Sequence, residues 1–132
     1  MTQAEDKIIY EYCVIRYVPD IERQEFVNVG LLMMSKRMKW LRCHINIDEQ
    51  RIRALFGDSD IELLRNQIEI FRNGEVPFKG LPVEEKYRWM AAVKSAIIQT
   101  SPSHPGIIVA SKEDVASSLD KKFRELSSRL VG

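Results

Sequence analysis

Residues 16–30 read RYVPDIERQEFVNVG and join two apolar segments through a charged middle. The segment before the charges, KIIYEYCVIRYV, is rich in β-branched and aromatic residues. It predicts a β-strand that ends at Pro19, because proline cannot donate a hydrogen bond to a strand ladder. The segment after the charges, EFVNVGLLMM, predicts a second strand. The connecting loop carries four charged side chains: Asp20, Glu22, Arg23 and Glu25.

A third strand and several helices follow this hairpin. The segment MKWLRCHINI alternates, which places its apolar side chains on one face and Trp40 on the other, exposed face. Helical spacing of apolar residues then appears in DEQRIRALFG, in SDIELLRNQIEIFRNG and in a last segment that begins near Ser111. Ser59 and Glu62 have the spacing of a capping box. PVEEKYRWMAAVK suits a further helix, SAIIQTS a fourth strand, and HPGIIVA a short extended piece.

Strands and helices are segregated along the chain and do not alternate. That order predicts an α+β fold with a small antiparallel sheet, made of a three-strand meander plus a fourth strand. We expect three to four helices to cover this sheet on one face. The chain has 132 residues and contains neither an internal repeat nor a linker-like tract, so we expect residues 1–132 to form a single domain.

Composition and charge exclude several classes of protein. The formal net charge of +1 is evidence neither for nor against nucleic acid as a bulk partner. No apolar run approaches the roughly 18 residues of a membrane span, and the first residues, MTQAEDK, do not resemble a signal peptide. Cys13 and Cys43 lie in apolar stretches without CxxC spacing, which predicts buried, reduced thiols in a cytoplasmic protein. A disulfide between them would require neighbouring strands.

The opening motif resembles a bacterial family known only as a domain of unknown function, number 3037. The resemblance is most specific over the pattern RYVPDxxRxEFVNVG, and it extends less specifically to IIQTSPSHPG and to the final helix that ends in RLV. It implies that SAIIQTS is a strand, and it brings no known activity. It also implies a protein partner, a HipA-like kinase, because family members are encoded beside such kinases.

The leading hypothesis is a non-catalytic protein-interaction module that binds through the charged Arg16–Gly30 loop and the adjoining sheet edge. Asn28 and Gly30 suit a strand poorly, and Arg16 stands in an apolar run. Such departures from local rules occur at functional or strained sites. The alternative is structural, with ion pairs and hydrogen bonds that fix the loop over the sheet. The candidate binding residues are Arg16, Asp20, Arg23, Glu25 and Asn28.

Carboxylates of the same loop offer an alternative, an enzyme that depends on a divalent metal or on phosphate. Asp20, Glu22 and Glu25 could gather a hard cation, which prefers oxygen ligands. Their spacing matches no established metal motif, and the sequence contains no P-loop, GxGxxG or GxSxG. The leading hypothesis therefore includes no catalytic residue, no metal site and no cofactor.

The segment SKRMKWLRCH offers a second alternative, nucleic-acid binding. An exposed aromatic ring can stack on a base while neighbouring cations contact phosphate. The structural explanation of the same segment is a solvated hairpin whose lysines discourage edge-to-edge pairing of strands. The residues concerned are Lys36, Arg37, Lys39, Trp40 and Arg42.

Overall fold

A computed structural model describes residues 5–72, 80–92 and 95–132 of the chain. These residues form an α+β fold, as the segregated order of elements predicts. In chain order the elements are β1 (Glu5–Tyr17), β2 (Val27–Ser35), β3 (Trp40–Ile45), α1 (Glu49–Phe56), α2 (Ile61–Arg72), α3 (Val83–Ala91), β4 (Ile98–Thr100), β5 (His104–Ser111) and α4 (Val115–Leu130).

Strand β1 lies at the centre of an antiparallel sheet. The predicted meander forms one side of the sheet, in the order β3, β2, β1. On the other edge of β1, β4 pairs with residues 15–17 and β5 pairs with residues 5–12. Ser101 fills the gap between these two strands, since its amide donates to the Val14 carbonyl and its Oγ accepts from the Val14 amide, both at 2.8 Å. The fourth strand is thus confirmed, and HPGIIVA is a full fifth strand.

Helices cover the sheet on both faces, so the expectation of a single covered face is wrong. On one face, α1, α2 and α3 pack on a core that includes Cys13 and Ile15 of β1. On the opposite face, Leu119 and Leu126 of α4 pack on a second core that includes Trp40. Strand β2 is buried almost throughout, which is typical of a strand with apolar neighbours on both faces.

Aspartates cap the first two helices. The Leu63 amide donates to Asp60 Oδ1 at 3.0 Å, so α2 is capped by Asp60 and not by the expected box of Ser59 and Glu62. Asp48 caps α1 in the same way. No helix within the described ranges is both long and apolar enough to cross a membrane.

A β-bulge in β2 explains the glycine of the EFVNVG segment. Ile15 pairs with Gly30 and Arg16 pairs with Asn28, which leaves Val29 as the extra residue. A Cβ atom on residue 30 would lie 2.7 Å from Ile45 Cδ1 and 2.9 Å from Ile15 Cδ1. A side chain at residue 30 would have to displace the ends of these two isoleucines and would also lie against the His44 carbonyl oxygen at 3.0 Å.

We predict that Gly30→Val destabilises the protein by about 1 to 3 kcal/mol, the usual cost of overpacking a closed core. Urea unfolding measures the change, with Gly30→Ala as the smaller step in the same direction. A free energy of unfolding equal to that of the wild type for both variants would contradict the packing described here.

Candidate functional site

Within residues 16–30, only residues 18–26 lie outside the two strands. They fold as a compact turn between β1 and β2, and we call them the charged loop. The Arg23 amide donates to the Asp20 carbonyl at 3.2 Å, and the Glu22 amide donates to Asp20 Oδ1 at 3.1 Å. Gln24 closes the turn in the left-handed region, with φ of 57°. The Val18 amide donates to the Ile97 carbonyl at 2.7 Å, which ties the loop to the segment before β4. Local backbone bonds therefore hold the loop in one shape.

Arg23 and Glu25 form an ion pair on the solvent side of the loop. Arg23 Nη2 lies 2.6 Å from Glu25 Oε1, and the two side chains are 70% and 53% exposed. An ion pair this exposed stabilises a fold very little, because water screens it. Both charges remain accessible to another molecule.

The structure divides the five predicted binding residues into two groups. Arg16 and Asn28 are cross-strand partners away from the loop tip. The Arg16 guanidinium lies 4.2 Å from the centre of the Phe26 ring, and its Nε is buried without a hydrogen bond in the described part of the chain. Asn28 Nδ2 donates to the Leu130 carbonyl at 2.9 Å, which satisfies an open carbonyl at the end of α4. The contact of Asn28 is therefore structural.

Asp20, Arg23 and Glu25 form the second group and line one cleft. We call this space of about 430 Å³ the loop cleft. Its opposite wall is the turn between α1 and α2, where Asp58 and Asp60 stand. The apolar side chains that line it among the described residues are Tyr17, Pro19, Phe56, Leu63 and Ile97.

Negative charge dominates the loop cleft. Arg23 is paired with Glu25, so the carboxylates of Asp20, Asp58 and Asp60 surround the space, and the described part of the chain lines it with no second cation. The loop cleft therefore favours a cation that carries apolar groups beside it. Sequence reasoning missed Asp58 and Asp60. The acidic GDSD turn was a visible signal, although nothing local indicates that it faces residues 18–26.

The carboxylates do not assemble a metal site. Within residues 5–72, 80–92 and 95–132, no three His, Cys, Asp or Glu side chains are placed to hold a metal ion. Glu22 is also absent from the lining of the loop cleft. The arrangement of Asp20, Glu22 and Glu25 gives no support to the enzyme alternative.

Both thiols are free, as expected, and they are poor nucleophiles. Cys13 is buried and Cys43 is half-buried. Burial raises the pKa of the Cys13 thiol to about 11 and that of the Cys43 thiol to about 12, so both are protonated at neutral pH. Leu32 pairs with Cys13 on one side and with Cys43 on the other. The cysteines thus lie two strands apart, roughly 10 Å, beyond the span of a disulfide.

The hairpin of the nucleic-acid alternative does not present an aromatic ring. Trp40 is only 6% exposed, so the expectation of an exposed ring is wrong. The Trp40 ring packs edge-on against Phe123 of α4 at 5.9 Å, and its Nε1 donates to Asp120 at 3.2 Å. Arg42 and Arg37 pair with Asp120 and Asp6, while Lys36 and Lys39 are exposed. These contacts leave no base-stacking platform at Trp40.

The fold and the loop cleft define an α+β protein with an acidic, partly apolar recess and no assembled metal cluster among its described residues. Residues 12–128 match the sequence profile of the family described as "Protein of unknown function (DUF3037)". The chain therefore belongs to that family, as the RYVPDxxRxEFVNVG motif predicts. No curated protein and no solved structure matches it.

Because Asn28 is structural and Arg23 is exposed, we predict that their substitution lowers the free energy of unfolding by different amounts. Asn28→Ala should lower the free energy of unfolding by about 1 kcal/mol, because it removes a part-buried hydrogen bond to the end of α4. Arg23→Ala should change it by less than about 0.5 kcal/mol, because its ion pair is exposed. Urea unfolding of both variants measures the difference, and the reverse order of costs would contradict the assignment.

The buried thiols predict a loss of stability at alkaline pH. Their folded pKa values lie above the value of about 8.5 in an unfolded chain, so the native state binds more protons between these values. The protonated thiols therefore stabilise the fold fully below the pKa of an unfolded cysteine. This stabilisation is lost as pH rises through the folded pKa values, about 11 for Cys13 and about 12 for Cys43. We expect each thiol to contribute a loss of about 1 to 2 kcal/mol between pH 8 and pH 10. Urea unfolding of Cys13→Ala/Cys43→Ala should show a flatter pH profile, and parallel profiles would contradict the prediction.

Proposed function

We propose that this chain is a non-catalytic protein-interaction module of the cytoplasm, and that it binds its partner at the loop cleft. The observation that carries the proposal is the convergence of two acidic segments, the charged loop and the turn between α1 and α2, over one apolar floor. Protein interfaces commonly combine an apolar centre with a polar rim.

Exposed apolar side chains on the charged loop and on α2 add support. Ile21 and Phe26 of the charged loop are 55% and 44% exposed, and Leu63 of α2 is 41% exposed. These side chains supply apolar area beside the carboxylates. The partner segment that fits is basic, with a lysine or arginine entering the loop cleft and apolar residues flanking it.

The rigid shape of the charged loop favours recognition over chemistry. Hydrogen bonds within the turn hold Asp20 and Arg23 in place before any partner arrives, which lowers the ordering cost of binding. The resemblance of the motif makes a HipA-like kinase the first partner to test.

Charge reversal of the loop cleft tests the proposal. Backbone amides donate to Asp20 and Asp60, so Glu25 and Asp58 are the positions at which charge can change with least effect on the backbone. We predict that Glu25→Lys/Asp58→Lys loses the partner that the wild-type protein captures from cell lysate. Binding of the purified partner to the variant should weaken at least about tenfold, as lost charge complementarity implies.

The matched control is Glu113→Lys/Glu125→Lys, which makes the same change of charge next to and on α4. This control should capture the same partner as the wild type. Salt should weaken wild-type binding more than binding by the charge-reversed cleft variant. If the cleft variant recovers the same partner with equal affinity, the loop cleft is not the binding surface.

A further inference from the structure

Three aliphatic side chains form an exposed patch on the sheet, away from the loop cleft. Ile9 of β1 and Ile107 and Val109 of β5 are 61%, 58% and 56% exposed. Ile9 is the cross-strand partner of Ile107, and Val109 lies two residues further along β5, so all three share one face. Ile8, which alternates with them, packs in the core with α4. The patch is therefore on the face opposite α4, and we call it the β1–β5 patch.

Contiguous aliphatic side chains on an exposed sheet face indicate a contact with another molecule. Beside the β1–β5 patch lies a depression of about 550 Å³, lined by Ile9, Tyr10 and Met34 and by the charged residues Lys7, Glu11, Lys36 and Arg37. The depression gives the patch a concave border that side chains of a facing surface can enter.

The charges along β1 identify that facing surface. Lys7 and Glu11 flank Ile9 on the same face, each about 7 Å from it along the strand. The pattern of charge changes sign when the strand is turned end for end. Consider two copies whose sheets face each other across a two-fold axis. If the axis lies between the sheets, runs perpendicular to β1 and passes over Ile9, it reverses the direction of β1 in the second copy. Lys7 then lies over Glu11 of the partner subunit. The same axis places Ile9 over Ile9 of the partner subunit.

We propose that the β1–β5 patch is the interface of a symmetric homodimer, with a second copy of this chain as its occupant. The aliphatic side chains form the centre of the interface, and two pairs between Lys7 and Glu11 of the partner subunit form its rim. A two-fold interface uses the same surface on both copies, so assembly closes at two subunits. Three aliphatic side chains are far fewer than the roughly 20–30 residues a side of a standard interface, so we expect dissociation in the micromolar range.

The dimer leaves both loop clefts open. The loop cleft begins at Tyr17, whereas the β1–β5 patch occupies the opposite end of β1. A dimer thus presents two clefts, and a partner with two basic segments would bind it more tightly than a monomer. The homodimer does not depend on the function proposed for the loop cleft.

Sedimentation velocity of the full chain tests the dimer. Between about 5 and 500 µM in low salt, the wild type should shift from monomer to dimer by mass action. Ile107→Lys should remain a monomer throughout, with an unchanged circular dichroism spectrum because the residue is exposed. Lys121→Glu, an exposed change on α4, should dimerise like the wild type.

A charge swap tests the two-fold arrangement itself. Lys7→Glu and Glu11→Lys should each weaken dimerisation about tenfold, since each opposes two like charges. The double variant Lys7→Glu/Glu11→Lys should regain the wild-type affinity, because both pairs re-form in the opposite sense. Glu11 also accepts a hydrogen bond from Ser103 Oγ at 3.2 Å, so Lys7→Glu is the cleaner single change.

Three results would overturn the proposal. The first is a wild type that remains monomeric at the highest concentration, and the second is an Ile107→Lys variant that still dimerises. The third is a double variant that fails to regain affinity after both single changes weaken it. That pattern would indicate another geometry, such as side-by-side pairing of the β5 edges.

Discussion

The structure depends on the position of β1, which must pair on both edges and bury side chains on both faces. In this 13-residue strand, residues 11–17 pair with β2 on one edge, while β4 and β5 pair with residues 15–17 and 5–12 on the other. Its even-numbered apolar residues pack towards α4, while Cys13, Ile15 and Tyr17 pack towards the other three helices. Every other element reaches its place by contact with β1 or with a neighbour of β1.

This constraint separates the motif of residues 16–30 into parts with different roles. Arg16 and Asn28 lie where β1 and β2 still pair, and Asn28 fastens the end of α4 to the sheet. Asp20, Arg23 and Glu25 lie beyond the pairing, where the chain leaves the sheet and meets the turn between α1 and α2. The motif of residues 16–30 therefore contains residues that hold the fold together and residues that face solvent.

Sequence alone predicted the segregated order of elements and the three-strand meander, because alternation and helical spacing are local signals. It could not assign α4 to the opposite face, since a helical stripe does not state which side of a sheet it covers. The continuous apolar run LLMM in β2 was a signal of burial on both faces that alternation in β3 obscured. Alternation in β3 also predicts, wrongly, that the face carrying Trp40 is exposed.

The candidate site was predictable only in part, for a related reason. Proline and clustered charge located the loop, but the contact of Asn28 with Leu130 joins residues 102 positions apart. Asp58 and Asp60 likewise join the loop cleft only through the packing of α1 and α2 on the sheet. Contacts between residues so far apart in sequence depend on the whole topology, so a short segment of sequence does not predict them.

The central placement of an early strand also has a consequence for synthesis on the ribosome. The second edge of β1 can pair at Val14 only after Ser101 has been synthesised, 87 residues later. At about 5 to 20 residues per second, that delay lasts roughly 4 to 17 s. During this interval the nascent chain exposes an unpaired edge of an apolar strand. Chaperones bind such edges, and other chains can pair with them and aggregate.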